Sequence, residues 1–379
     1  MEVNKGIYIF HQVKALSKQC NVRVFAPVPY LPKWLRLKRY EMYGQIFAEE
    51  AIDGIPVEHP RVLLTPRVGR SLYGLFYAAS LLKPMLRLRR TFNPHILVCF
   101  WVYPDGFANV LLAKLLGIPV IVGGRGCDIN NADEYRMKKL MVTWTIRRAD
   151  KVLAVSNAMK AKMMALGLRE DRIRVVPNGI DDRIFGTNIK CGGACSNGSG
   201  MDRNDRTIVY CGRLSPEKGV EFLIRAFRIL VEKGVSCRLS LIGQGPQEVK
   251  IRSMVKEFGL EERVSFKGEI PHEKIANLLK SGAVFCLPSV TEGWPNSVVE
   301  ALACGLPVVA SRVGGVAEIL TSPEYGIMVR KEDPDALADG LSKALDKEWN
   351  RQVIKEAARN RTWDNVAEEI LCEIRGVLS

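Results

Sequence analysis

The second half of the chain alternates short apolar runs with helical patterns, and this alternation limits the fold more than any other feature. Candidate strands are Thr207–Cys211, Arg238–Ile242, Val264–Lys267, Ala283–Pro288, Pro307–Ala310 and Gly326–Val329, each short and rich in β-branched or aromatic residues. Helical patterns fall between them at Val220–Glu232, Glu248–Phe258, His272–Lys280, Ser297–Ala303 and Val316–Leu320. Strands joined by helical crossovers give a parallel, doubly wound α/β sheet. Continuous apolar runs such as AVFCLP fit strands covered on both faces.

The first half follows the same rule with less regularity. A helix over Gly6–Lys18 leads to strands at Val22–Ala26, Val57–Leu63, His95–Trp101, Val120–Val122, Lys151–Val155 and Ile173–Val176. Helices are expected near Leu72–Arg89, Gly106–Leu116, Tyr135–Arg148 and Ala158–Leu166. From Lys190 to Asp205 the chain turns rich in Gly, Ser, Asn and Asp, which reads as a linker. The expected organisation is a first Rossmann-like domain over 1–185, a linker over 186–206 and a second over 207–355. A terminal helix over 356–379 would pack back on the first domain. The first strand of a doubly wound domain is central, and only four residues precede Lys5. The first sheet is therefore expected to lack that strand, with a gap or exposed apolar edges at its place and a truncated start as the cause.

Composition excludes several classes. Hydrophobic residues at 47% and charged residues at 25% rule out a disordered or fibrous chain. No uncharged run reaches the length of a membrane span, and the first residues do not form a secretory signal. The ten cysteines are scattered, which suits reduced core thiols in a cytoplasmic protein. Cys191 and Cys195 lack a second ligand pair, and no metal site is expected.

Charge is uneven. Residues 1–185 carry 29 Lys or Arg against 15 Asp or Glu, while residues 186–379 carry 26 of each. The whole net charge of +14 therefore sits in the first half. No Asp or Glu occurs from His59 to Pro104. Basic-aromatic stretches lie at YLPKWLRLKRY and RSLYGLFYAASLLKPMLRLRR. This asymmetry suggests an anionic partner, such as a membrane surface, for the first half. Nucleic acid is not expected, since no helix-turn-helix, zinc or RNP-type motif occurs.

Three segments carry chemistry. In GRLSPEKG a strand ends, Arg213 and Lys218 supply two cations, and a helix begins, which suits a diphosphate. In LIGQGP, Gly243 lets a ligand approach bare backbone; no dinucleotide-binding glycine fingerprint follows. In LPSVTEGWPNSVVEALACG, a buried strand delivers Glu292 into a loop, and Glu300 follows eight positions later in the next helix. Two carboxylates at one strand–loop–helix junction can hold two parts of a polyhydroxylated ligand. They could also simply complement the helix dipole.

The order of these segments resembles the retaining nucleotide-sugar glycosyltransferases of family 4, built from two Rossmann-like domains facing a cleft (the GT-B fold). RRADKVLAVSNAMKAKMMALG followed by IRVVPNGID resembles the segment closing the family's first domain, and FAPVPYLPKW, WVYPDG and GGRGCDIN resemble a bacterial and archaeal branch that builds cell-surface polysaccharides or glycolipids. The resemblance implies hexosyl transfer with retention and without metal or other cofactor. The donor would be a UDP- or GDP-sugar and the acceptor a glycan or lipid-linked molecule. Arg213, Lys218, Glu292 and Asp128 would be catalytic. Gly212, Gly243, Gly268, Gly293, Trp294, Pro295, Asn296, Ser297 and Glu300 would bind the donor, with Glu300 on the ribose. Gly6, Arg125 and Asn178 would face the cleft from the acceptor side. Many members of the family carry His where this chain has Arg125. The alternative is a catalytically impaired nucleotide-sugar-binding homologue. The expected location is the cytoplasm, at the inner face of the cell membrane.

Overall fold

A computed structural model describes residues 6–30, 42–63, 72–186 and 206–379. The linker segment 187–205 and most of the basic stretch around Trp34 lie outside the described residues, as does the segment before Gly6. By contacts the chain divides into two compact units. Of the described residues, one holds 178–365 together with Gly6 and Ile7; the other holds 8–177 together with 366–379.

The C-terminal unit is a six-stranded parallel sheet. Its strands are β10 (Thr207–Cys211), β11 (Arg238–Ile242), β12 (Val264–Gly268), β13 (Val284–Leu287), β14 (Val308–Ser311) and β15 (Gly326–Val329). Their order is β12-β11-β10-β13-β14-β15, so the winding direction reverses between β10 and β13. The continuous apolar strands follow from burial on both faces. Ile208 and Tyr210 of β10, with Val284 and Cys286 of β13, face one core, shared with Leu223, Phe227 and Leu230 of the Val220–Glu232 helix. Val209 and Cys211, with Phe285 and Leu287, face the other, shared with Val298, Val299 and Leu302. The expected strands and helices of this unit are all present, shifted by a residue or two at their ends.

The N-terminal unit contains β1 (Val24–Phe25), β2 (Val28–Tyr30), β3 (Glu49–Ile52), β4 (Ile55–Glu58), β5 (Arg61–Leu63), β6 (Leu97–Cys99), β7 (Val120–Gly124), β8 (Lys151–Ala154) and β9 (Ile173–Val175). Among the described residues these form three pieces: β1-β4-β3, β2-β5 and β6-β7-β8-β9. Among the described residues the first element is the Ile7–Ser17 helix, and β6 pairs with β7 alone. The single strand expected over Val57–Leu63 is instead two, β4 and β5, pairing with different partners. Pro60 lies at the break, where it offers no N–H to a ladder. The short antiparallel β3 was not expected from its exposed, acidic sequence.

The units exchange chain at Pro177/Asn178 and again at Asn365/Val366. Ile180 and Asp181 are already buried in the C-terminal unit, and Ile180 N–H donates to the carbonyl of Arg361 at 2.8 Å. A Cβ on Gly179 would stand 2.7 Å from the Thr362 carbonyl carbon, so this crossing requires glycine. In the other unit, Glu373 of the last helix lies 3.2 Å from Lys151 and 3.6 Å from Arg174. Among the described residues, none of the eight cysteines forms a disulfide. Five are in the core, but Cys20, Cys127 and Cys372 are exposed, a correction to their reading as core thiols.

Phe227 is fully buried in the middle of one core. Replacing it with alanine should cost about 3–5 kcal/mol by lost burial and cavity formation. Denaturant unfolding should show the loss in the transition of the C-terminal unit. A change below about 1 kcal/mol would contradict the packing described.

Candidate active site

The loops after β10 and β13 flank the point where the sheet reverses, the place where open α/β sheets bind ligands. The local sequence explains how these loops are held. The hydroxyl of the fully buried Tyr210 donates to the Arg213 carbonyl at 2.8 Å and fixes the turn after β10. The Val290 N–H donates to the Glu217 carbonyl at 2.9 Å, tying the two loops together. Gly219 has φ +60°, and a Cβ there would stand 2.2 Å from the Pro288 carbonyl oxygen. A side chain at that position would therefore separate the loops.

Glu292 is the centre of this junction. It is 8% exposed; its Oε1 accepts from Lys218 Nζ at 2.6 Å and from the buried Ser289 hydroxyl at 2.7 Å. A Cβ on Gly314 would stand 2.2 Å from the Glu292 carbonyl oxygen, and Gly315 N–H donates to the Gly293 carbonyl at 3.1 Å. The loop after β14 thus braces the loop after β13. Arg213 is exposed. Pro295 caps the Asn296–Ala303 helix without a side-chain hydrogen bond to its first turn. Asn296 Oδ1 instead accepts from Asn178 Nδ2 at 3.1 Å. Trp294 packs against the adjoining core, with its indole N–H sheltered and unpaired. Gly212 and Gly243 abut, since a Cβ on Gly243 would lie 2.1 Å from the Gly212 carbonyl oxygen. Gly243 N–H donates to the Gly268 carbonyl at 2.7 Å. The turns after β10, β11 and β12 thereby form one backbone surface.

Glu300 is 2% exposed, and its Oε1 lies 3.0 Å from Nε2 of the buried His272. His272 also meets the Phe185 ring edge-on, 5.0 Å between centroids. Burial works against the imidazolium, but the hydrogen bond and charge of Glu300, with Glu273 and Asp181 behind, outweigh it and raise the His272 pKa. Glu300 also reaches the end of β10. The Cys211 thiol there is pushed up first by burial and then by the Glu300 charge. The sequence placed a helix start at His272 but gave that residue no role; a lone histidine after a proline carries no spacing signal.

In the N-terminal unit, Asp128 is 4% exposed. Its Oδ1 accepts from the backbone N–H groups of Arg125 (3.1 Å) and Gly126 (2.9 Å), and its Oδ2 from Val102 (2.9 Å). The side chain thus binds the loops after β6 and β7 together, which makes it a positioning residue. Arg125 stacks over Phe100 at 4.8 Å and donates to Gln12. Burial lowers its pKa to about 10, against the opposing charge of Asp128. Gly6 has φ +80° with open space where a Cβ would be, so its backbone conformation is what favours glycine. Asp105, unremarked in the sequence, has its carboxyl pKa pushed up to about 6 by burial, with the Asn109 hydrogen bond at 2.7 Å opposing.

The chain matches known proteins along most of its length. Residues 6–183 match the family model described as Glycosyltransferase Family 4, and residues 196–361 match Glycosyl transferases group 1. The chain belongs to this glycosyltransferase family. Among curated members, it is 30% identical over 226 residues to an uncharacterized glycosyltransferase of Methanocaldococcus jannaschii, covering 58% of each chain. It is 29% identical over 287 residues to the putative colanic acid biosynthesis glycosyltransferase WcaL of Escherichia coli, covering 72% of this chain and 68% of that one. A third relative is the yeast phosphatidylinositol N-acetylglucosaminyltransferase GPI3 subunit, 30% identical over 62% of this chain and 52% of its own. The chain therefore spans between about half and two thirds of the length of these three relatives. Among solved structures, sucrose-phosphate synthase from Thermosynechococcus elongatus superposes with TM-score 0.78 at 20% identity, over 98% of this chain and 93% of the other. Anabaena HepE in complex with UDP and glucose gives 0.73 at 17%, over 99% and 97%. Both show the GT-B fold of two Rossmann-like domains.

The His272–Glu300 pair has a pH signature. The folded pKa of His272 lies above that of free imidazole, so its contribution is complete below about pH 6.5. It is lost as pH rises through the folded value. Thermal melts of the protein and its His272→Gln variant should differ most at acid pH and converge in alkali. A stability difference independent of pH would contradict the charged pair.

Proposed function

We propose that this chain is a retaining glycosyltransferase. It would move a hexosyl group from a UDP- or GDP-sugar to a glycan or lipid-linked acceptor, at the inner face of the cell membrane. One observation carries the reading: a buried carboxylate, Glu292, held by Lys218 and Ser289 at the switch point of a parallel sheet, beside the exposed Arg213. The complexed state of HepE, with UDP and glucose, supports a nucleotide-sugar donor.

In this reading Arg213 and Lys218 bind the donor diphosphate. As the bond from the anomeric carbon to the phosphate oxygen breaks, negative charge grows on the leaving group, and two fixed cations favour that charge without a metal. Glu292 accepts hydrogen bonds from the sugar hydroxyls. Its bond to Ser289 fixes the carboxylate before the donor arrives, so little reorganisation is required. Gly293, Trp294, Pro295, Asn296 and Ser297 line the sugar and phosphate pocket, where the uncapped start of the Asn296–Ala303 helix favours an anion. Glu300, oriented by His272, holds the ribose, and the contiguous turns at Gly212, Gly243 and Gly268 flank the base. Asp128 and Arg125 shape the acceptor side, with Gly6, and Asn178 reaches the Asn296 amide.

Arg213→Ala, Lys218→Ala and Glu292→Gln should each lower transfer on the order of 10²–10³-fold with secondary structure retained by circular dichroism, Lys218→Ala melting at lower temperature because it leaves Glu292 unpaired. A panel of UDP-, GDP- and ADP-sugars would be scored by thermal shift and nucleotide release, and the product anomer assigned by NMR. Wild-type turnover in all three variants would remove the site assignment, and an inverted anomer would remove the retaining mechanism.

A further inference from the structure

The Tyr73–Thr91 helix is apolar over more than the face it buries. Gly74, Ala78, Leu81, Met85 and Leu88 pack inward. Leu72 at its cap, Leu75, Ala79, Leu82 and Leu86 follow one another at spacings of three or four and are exposed. The four leucines are each 40–44% exposed. At the helical rotation of about 100° per residue, the five fall within an arc of about 80° that runs about 20 Å along the axis. A continuous apolar stripe of this kind marks an interaction surface, whereas scattered exposed leucines would not.

Cations border the stripe. On the same rotation Lys83 and Arg90 fall along one edge and Arg89 on the other; all three are exposed, and among the described residues none has an ion-pair partner. Arg87, one position further round, is held by Glu49 and Glu58. No acidic residue occurs on this helix or anywhere from His59 to Pro104. The Arg136–Arg148 helix meets the start of this one, where a Cβ on Gly74 would stand 3.1 Å from Met141 Sδ. It adds exposed Arg136, Met137 and Leu140, the last 63% exposed.

We propose that this helix face docks on an anionic lipid bilayer. The leucines enter the boundary between headgroups and acyl chains, and Lys83, Arg89 and Arg90 lie among the lipid phosphates. Charge complementarity selects this occupant. A second copy of the chain would offer the same acid-free helix and set cations against cations. A bilayer offers both an apolar layer and a dense sheet of negative charge at the spacing of one side chain. The inference is independent of the donor-site reading, since none of its residues lies in the C-terminal unit.

The test is co-sedimentation of the full chain with phosphatidylcholine vesicles, with and without about 30% phosphatidylglycerol, at low and high salt. Binding should require the anionic lipid and weaken with salt. Leu82→Glu/Leu86→Glu should abolish it. Removing Lys83, Arg89 and Arg90 together should weaken it about 100-fold, near five-fold per cation. Both variants alter exposed side chains, so thermal shift with UDP should match the unchanged protein. Equal recovery on neutral and anionic vesicles, or on neither, overturns the proposal. So does a concentration-dependent dimer in ultracentrifugation that Leu82→Glu disrupts, which would make a second copy the occupant.

Discussion

The contact of Lys218 with Glu292 is the constraint around which the C-terminal unit is arranged. A carboxylate this buried needs a partner, because an isolated buried charge is costly. The partner comes from the other side of the sheet reversal, so the loops after β10 and β13 must meet. Tyr210 pins one turn, Ser289 anchors the other, and Gly219 and Gly314 remove the side chains that would hold them apart. Each of these features follows from bringing one cation to one carboxylate. The result is an ion pair held where the parallel sheet reverses.

The C-terminal unit was legible in the sequence because its strands are buried on both faces. Runs such as VFCL cannot be solvated, and each is followed by a loop with Gly or Pro and then a helix. Arg213, Lys218 and Glu292 could be picked out because they interrupt that apolar grammar in the loops after strands, and Glu300, in the helix after β13, by its spacing from Glu292. The N-terminal unit was harder. Its strands are two to five residues long, and the break at Pro60 divides one apparent run between two sheets. Pairing partners there are set by tertiary contacts that no local pattern encodes.

Side-chain roles were less legible than positions. Asp128 was singled out through the family resemblance; that three backbone N–H groups converge on it and tie two loops together could be read only from the structure. His272 had no signal at all, since its partner Glu300 is 28 residues away and the pairing depends on the helices following β12 and β13 being adjacent. The charge asymmetry was visible by counting. Which cations are paired could be read only from the structure: Arg87 is neutralised by Glu49 and Glu58, while among the described residues Arg89 and Arg90 have no such partner. The two units therefore divide their physical tasks: one provides a buried, preformed charge pair, and the other carries nearly all of the excess positive charge.

The most direct measurement of the central claim is a crystal structure of the chain soaked with a nucleotide-diphosphate sugar. The account predicts the diphosphate against Arg213 and Lys218, with the sugar hydroxyls on Glu292 and the ribose on Glu300. A diphosphate bound away from the β10–β13 reversal, with the Lys218–Glu292 pair unengaged, would contradict it.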